Sequence, residues 1–178
     1  QLISLLDAKI KKMLFWISKM SFNNRYSHFN DSTGGIAVDL SDLIDYASRL
    51  GINFKKDKNT FEKPQITVLR NSGFSVVENS SMKFIYDHGE IGAKYQPGHG
   101  HADTLSFECE INKKSFIVNS GISEYENSDL RLFQRSTSAH STLNINDISS
   151  SEIWSSFRVA NRAKIVNFEV DHINLHLV

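Results

Sequence analysis

Cysteine is nearly absent: the 178 residues contain one, Cys109. A single thiol excludes an intramolecular disulfide and any multi-cysteine zinc site, and it leaves the redox compartment open. Its setting, the alternating run Leu105-Phe107-Cys109-Ile111, marks a small core residue. An excess of either charge is also missing. Twenty Lys and Arg cancel twenty Asp and Glu, so composition gives no case for nucleic acid or an anionic membrane as partner. A neutral chain still binds an acidic glycan where its charges cluster locally. Long apolar runs are lacking too: Lys and Ser break the longest one, so no membrane insertion is expected, and no signal peptide is visible within the sequence. The chain does not open on Met, which fits a processed or excised segment.

What is present reads as globular, enough for one domain or one domain plus part of another. Leu2, Leu6, Ile10, Met13, Ile17 and Met20 recur at helical spacing. A polar stretch from Ser21 to Gly35 breaks that pattern. A second helix follows, with Asp39 as N-cap, Leu40, Leu43, Ile44, Ala47 and Leu50 as its stripe, and Gly51 as its stop. After a charged connector the periodicity changes. Gln65–Arg70, Phe74–Glu78, Met82–Tyr86, Thr104–Ile111 and Phe116–Asn119 are short β-rich runs, divided by Asn-, Ser- and Lys-containing turns. Thr142–Ile145, Arg162–Val170 and His172–Val178 read as further strands. Helices first and strands afterwards predict an α+β fold: a helical segment over 1–54, a linker over 55–64 and antiparallel strands over 65–178, with helices confined to the part before about Phe54. Two helices are too few to cover the first one's wide apolar face, and the last strand runs apolar to its end, so the chain is expected to be a fragment.

The densest chemistry lies in Tyr95-Gln96-Pro97-Gly98-His99-Gly100-His101-Ala102-Asp103. In an extended segment positions 99, 101 and 103 share a face, and the flanking glycines let the backbone approach a ligand. A His-x-His pair suits zinc, given further ligands from elsewhere, for which His140 and Asn119 are the candidates. Two loop histidines would look the same. His28, His88, His172 and His176 have no such company and read as structural or exposed.

The run from Tyr95 to Phe107 resembles the signature of the heparinase II/III-like family. It is followed by Val118-Asn-Ser-Gly-Ile-Ser-Glu-Tyr125, by Arg131-Leu-Phe-Gln-Arg-Ser-Thr-Ser-Ala-His-Ser-Thr142, and by Ser151-Glu-Ile-Trp-Ser-Ser-Phe-Arg-Val159, in the family's order. Asn30-Asp31-Ser32 and the helix after it resemble the stretch closing that family's helical domain. The resemblance implies the end of an (α/α) toroid joined to an antiparallel β-sandwich. It also implies a polysaccharide lyase that cuts uronic-acid-containing glycans by β-elimination, in a periplasmic or secreted setting. Such a reaction needs a neutralised carboxylate, a base and a proton for the leaving oxygen.

Carried over by position, His99 faces the substrate, either neutralising its carboxylate or handling a proton, while His101, Asn119 and His140 hold a structural zinc. Family lyases place Asp at position 119 and Asn at 141, where this chain has Asn119 and Ser141; an amide binds zinc more weakly than a carboxylate. Tyr125 is a candidate for substrate contact or proton donation, or a rim tyrosine. Arg135, ahead of Arg131, is the candidate fork for a glycan carboxylate. Trp154 and Phe157 read either as core or as sugar-stacking residues. The tyrosine and asparagine that complete catalysis in the family lie upstream in the toroid, so the fragment is expected to be inactive alone. The alternative is a noncatalytic glycan-binding or assembly module with a degenerate lyase site. A zinc hydrolase lacks a Glu beside the histidine pair.

Overall fold

A computed structural model describes residues 2–23, 25–57, 61–171 and 176–177. The N-terminal stripe forms α1 (Leu2–Lys19) and the second forms α2 (Leu40–Arg49). The two helices pack through Leu14, Ala47 and Ile52, with Ile10, Leu43, Ile44 and Phe54 around them. Gly51 closes α2 with φ of 78°, a conformation that costs glycine nothing. Asp39 stands at the N-cap, yet its side chain makes no capping bond. Leu2, Leu6 and Met13, assigned to the first helix's apolar stripe, are exposed, and only the later half of that stripe is covered.

Five antiparallel strands form one sheet in chain order: β1 (Gln65–Leu69), β2 (Phe74–Glu78), β3 (Met82–Asp87), β4 (Phe107–Ile111) and β5 (Lys114–Ile117). The β4–β5 hairpin turns on Asn112 and Lys113, with φ of 48° and 61°, as a two-residue loop between right-twisted strands requires. Val76 pairs with Ile85 in register, so both point to one face. There Met20, Phe22 and Phe29 cover them completely. Burying each such side chain contributes about 1.5–3 kcal/mol.

The same face carries charge, because Glu78, Lys83, Glu108 and Glu110 follow the same alternation. Lys19 Nζ donates to Glu78 (2.6 Å), Arg25 to Glu108 (2.5 Å), and Lys83 Nζ to the Ser21 carbonyl (2.7 Å). The backbone N–H of His28 also donates to Glu108. These bonds fasten residues 18–29 to the sheet and so fix where the following loop, 30–32, arrives.

Three expectations need correction. Helices are not confined to the N-terminal part: α3 (Asp129–Arg135) and a single 3-10 turn (Thr137–Ala139) follow the sheet. Thr142–Ile145 is not a strand but carries one isolated bridge, Ile145 to Ile148. Of Arg162–Val170 only Val170 is in a strand, β8 (Val170–Asp171), which pairs with β9 (His176–Leu177). Those runs have strand composition, but among the described residues their pairing is limited to Ile145 and Val170. The hairpin β6 (Glu152–Trp154) and β7 (Arg158–Ala160) lies between them. The rest of the proposed strand His172–Val178, with the His172 and His176 side chains, lies outside the described residues.

Candidate active site

The His-x-His segment is a tight loop before β4. Gly100 N–H donates to the Pro97 carbonyl at 2.8 Å. A Cβ on Gly100 would lie 2.9 Å from Ile91 Cγ1 and 3.1 Å from that carbonyl, so only glycine fits. The alternation then sends residues 99, 101 and 103 to one side, where all three meet loop 30–32. His99 Nδ1 is 2.8 Å from Asp31 Oδ2, and His101 Nε2 is 2.8 Å from Asp31 Oδ1. Burial pushes the Asp103 carboxyl up to about 7, against the lowering effect of the backbone N–H that Asn30 donates to it. It therefore holds the loop rather than reaching solvent.

Asp31 is also gripped from behind. Arg131 donates through Nη1 to Oδ1 (2.5 Å) and through Nη2 to Oδ2 (2.8 Å), a bidentate pair. Burial alone would raise this carboxyl. Hydrogen bonds from His101, Arg131 and His99 instead hold it well below the usual carboxylate range. Arg131 comes from α3, whose N-cap Ser128 accepts from the Arg131 N–H at 3.0 Å. One turn on, Arg135 lies on the same side of the helix.

Both arginines are wholly buried. Arg131 donates further to the Ser156 carbonyl (3.1 Å from Nε). Arg135 donates to the carbonyls of Gly100, Ser155 and Arg158. The Arg135 guanidinium thus braces the histidine loop from inside. It is not placed to fork onto a glycan carboxylate, because no face of it is open.

His101 and His140, 39 positions apart, meet with His101 Nδ1 3.3 Å from His140 Nε2. Asn119 Oδ1 is 3.1 Å from His140 Nδ1, on the ring's far side. Burial lowers His101, and burial together with His101 pushes His140 down to about 4, so both rings are neutral near pH 7. Asp31 Oδ1 faces His101 Nε2 and Asn119 Oδ1 faces His140 Nδ1, so each ring has an oxygen acceptor on the nitrogen away from the other ring. Two zinc–nitrogen bonds of about 2.0–2.1 Å at a tetrahedral angle separate their nitrogens by roughly 3.3 Å, so the pair has the spacing of two of the four ligands that a structural zinc takes. Among the described residues no group of three or more His, Cys, Asp or Glu side chains is arranged for a metal. Asn119, whose buried Nδ2 has no partner, orients His140 rather than sharing the open edge.

The outer surface is different in character. The His99 side chain is 65% exposed. Its ring centroid lies 5.9 Å from Tyr125 and 5.8 Å from Phe157, which lie 5.4 Å from each other. Arg131 sits beneath both aromatic rings. Trp154 is also exposed and stands on β6. The result is an open shelf with one imidazole nitrogen, one phenol and flat apolar faces, able to move a proton beside a flat ligand. His28 and His88 stand elsewhere, and His88 stacks on Phe168.

Asp31 is the site residue that motif spacing did not pick out. It is 68 positions from His99 and sits in a polar loop with no periodic signal. Arg131 was read only as a lesser substrate fork; the burial of two arginines four residues apart is invisible in sequence.

A family model described as heparinase II/III-like, C-terminal, matches residues 62–177. Among solved structures, one titled a crystal structure of heparinase III aligns with TM-score 0.63 and 16% identity, over 91% of this chain and 28% of that one. A heparinase III gene product with methylated lysines aligns with TM-score 0.58 and 20% identity, over 80% of this chain and 25% of its own. These identities speak for the fold alone. The chain spans about a quarter of the length of the structures it matches. No curated protein sequence matches. With more than half of its length under the family model, the chain belongs to the heparinase II/III-like family.

Proposed function

We propose that this chain carries the substrate-facing histidine of a polysaccharide lyase that cleaves uronic-acid-containing glycans by β-elimination. The observation that carries the reading is His99: one ring nitrogen is committed to a buried carboxylate and the other is left open among Tyr125 and Phe157. In β-elimination the proton next to the uronate carboxylate leaves and its electron pair becomes a carbon–carbon double bond. The bond to the glycosidic oxygen breaks, and that oxygen takes up a proton. His99 Nε2 accepts the first proton and the Tyr125 hydroxyl supplies the second. Neutralising the carboxylate falls to a group outside this shelf, because Arg131 and Arg135 are fully engaged. The chain alone is therefore expected to be inactive, and the protein periplasmic or secreted, where such glycans occur.

Zinc is proposed at the His101–His140 edge, joining the histidine loop to the segment after α3 and supplying structural rigidity rather than chemistry. Metal analysis of purified protein should find about one zinc, lost in His140→Ala; metal-free wild type would remove the proposal. A second reading, a noncatalytic glycan-binding module, is favoured by Asn119, a neutral amide where the lyases that the sequence resembles have Asp. Mixing the full-length protein with a panel of acidic polysaccharides separates the two. Growth of the unsaturated-uronate absorbance band supports the lyase; binding without it supports the module.

A further inference from the structure

We propose that Asp31 is a positioning residue that sets the tautomers of both site histidines, in opposite senses. The part concerning catalysis rests on the reading of His99 above. A carboxylate paired with Arg131 has no proton to give, so each nitrogen facing it must be the donor. On His99 that nitrogen is Nδ1, which leaves Nε2 unprotonated toward the open shelf. On His101 it is Nε2, which leaves Nδ1 unprotonated toward His140. The same carboxylate thus turns a base outward and a ligand inward.

Asp31 has just enough capacity for this. Its two oxygens offer about four lone-pair sites, and four donors occupy them: His99 and Arg131 Nη2 on Oδ2, His101 and Arg131 Nη1 on Oδ1. The arginine is anchored in turn on the Ser156 carbonyl and cannot swing away without leaving a buried charge unpaired. In the neutral ring the Nδ1–H is spent on Asp31, so the outward nitrogen is the one that can take up a proton.

The test is long-range ¹H–¹⁵N NMR of the imidazole nitrogens in the ¹⁵N-labelled chain, above pH 7.5, for wild type and Asp31→Asn. In the wild type His99 is expected as the Nδ1–H form and His101 as the Nε2–H form. In Asp31→Asn the His99 ring should shift to a mixture with substantial Nε2–H, since an amide can donate as well as accept. A wild-type His99 that carries its proton on Nε2 overturns the proposal, as does an Asp31→Asn spectrum with both tautomers unchanged. Should Asp31→Asn fail to fold, the wild-type tautomers alone decide. None of these readings needs turnover. A full-length protein that forms no unsaturated product would sink the lyase reading while leaving the tautomer result standing. The wrong tautomers together with unsaturated product would strip Asp31 of its role and reassign the proton acceptor, while cleavage by elimination itself would stand.

Discussion

Lys83 shows what burial does to one residue on the sheet's charged face. Burial pushes its ammonium down to about 8, against the pull of Glu78. Between that value and the ordinary one of 10.5, the unfolded chain holds a proton that the folded chain has released. Stability from this group therefore rises as pH increases from 8, by at most about 1.4 kcal/mol per pH unit. Denaturant unfolding at pH 8 and 9 should show a rise in wild type relative to Lys83→Met. A variant that tracks wild type across this window would remove Lys83 as the cause. At the site, the His99–Gly100–His101 loop and the phenol at 125 were legible as residues because their types carry chemistry. Arg135 was misread for a physical reason. A guanidinium that binds backbone carbonyls has the same sequence signature as one that binds a glycan.

At the scale of elements, the first three strands were legible almost to the residue. Each is a short β-rich run flanked by Asn, Ser or Gly in a turn, and β3 alternates buried and half-buried along its whole length. α3 was not legible, because its pattern is inverted: Arg131 and Arg135 face inward while Leu130 and Phe133 are exposed. The functional elements meet at the turn 119–121. Gly121 has φ of 65°, and a Cβ there would overlap the Ser32 carbonyl oxygen. That close approach lets the Ile122 N–H bond to the same oxygen at 3.3 Å, tying loop 30–32 to the sheet domain beside Asp31. Gly121→Ala should cost about 1–3 kcal/mol in stability and disturb the ring signals of His99 and His101. Circular dichroism with NMR checks both. A substitution that lowers stability without moving those signals would show that the turn does not set the site.

Across the whole molecule, the switch from helical to alternating periodicity placed the sheet correctly within an α+β fold. Composition could not show that the N-terminal segment docks on the sheet through buried ion pairs. Nor could it show that it reaches the site, which depends on contacts between residues some 60 to 100 positions apart. The account joins these levels. Ion pairs fix residues 18–29, the next loop delivers Asp31, and Asp31 fixes the histidines.

The most direct measurement is the rate of unsaturated-uronate formation by the full-length protein and its His99→Ala variant, on whichever acidic polysaccharide it cleaves. A positioned proton acceptor is worth about a hundred- to ten-thousandfold, so the variant should lose at least about a hundredfold in kcat while remaining folded. Wild-type activity in His99→Ala, or cleavage that yields only saturated ends, would contradict the account.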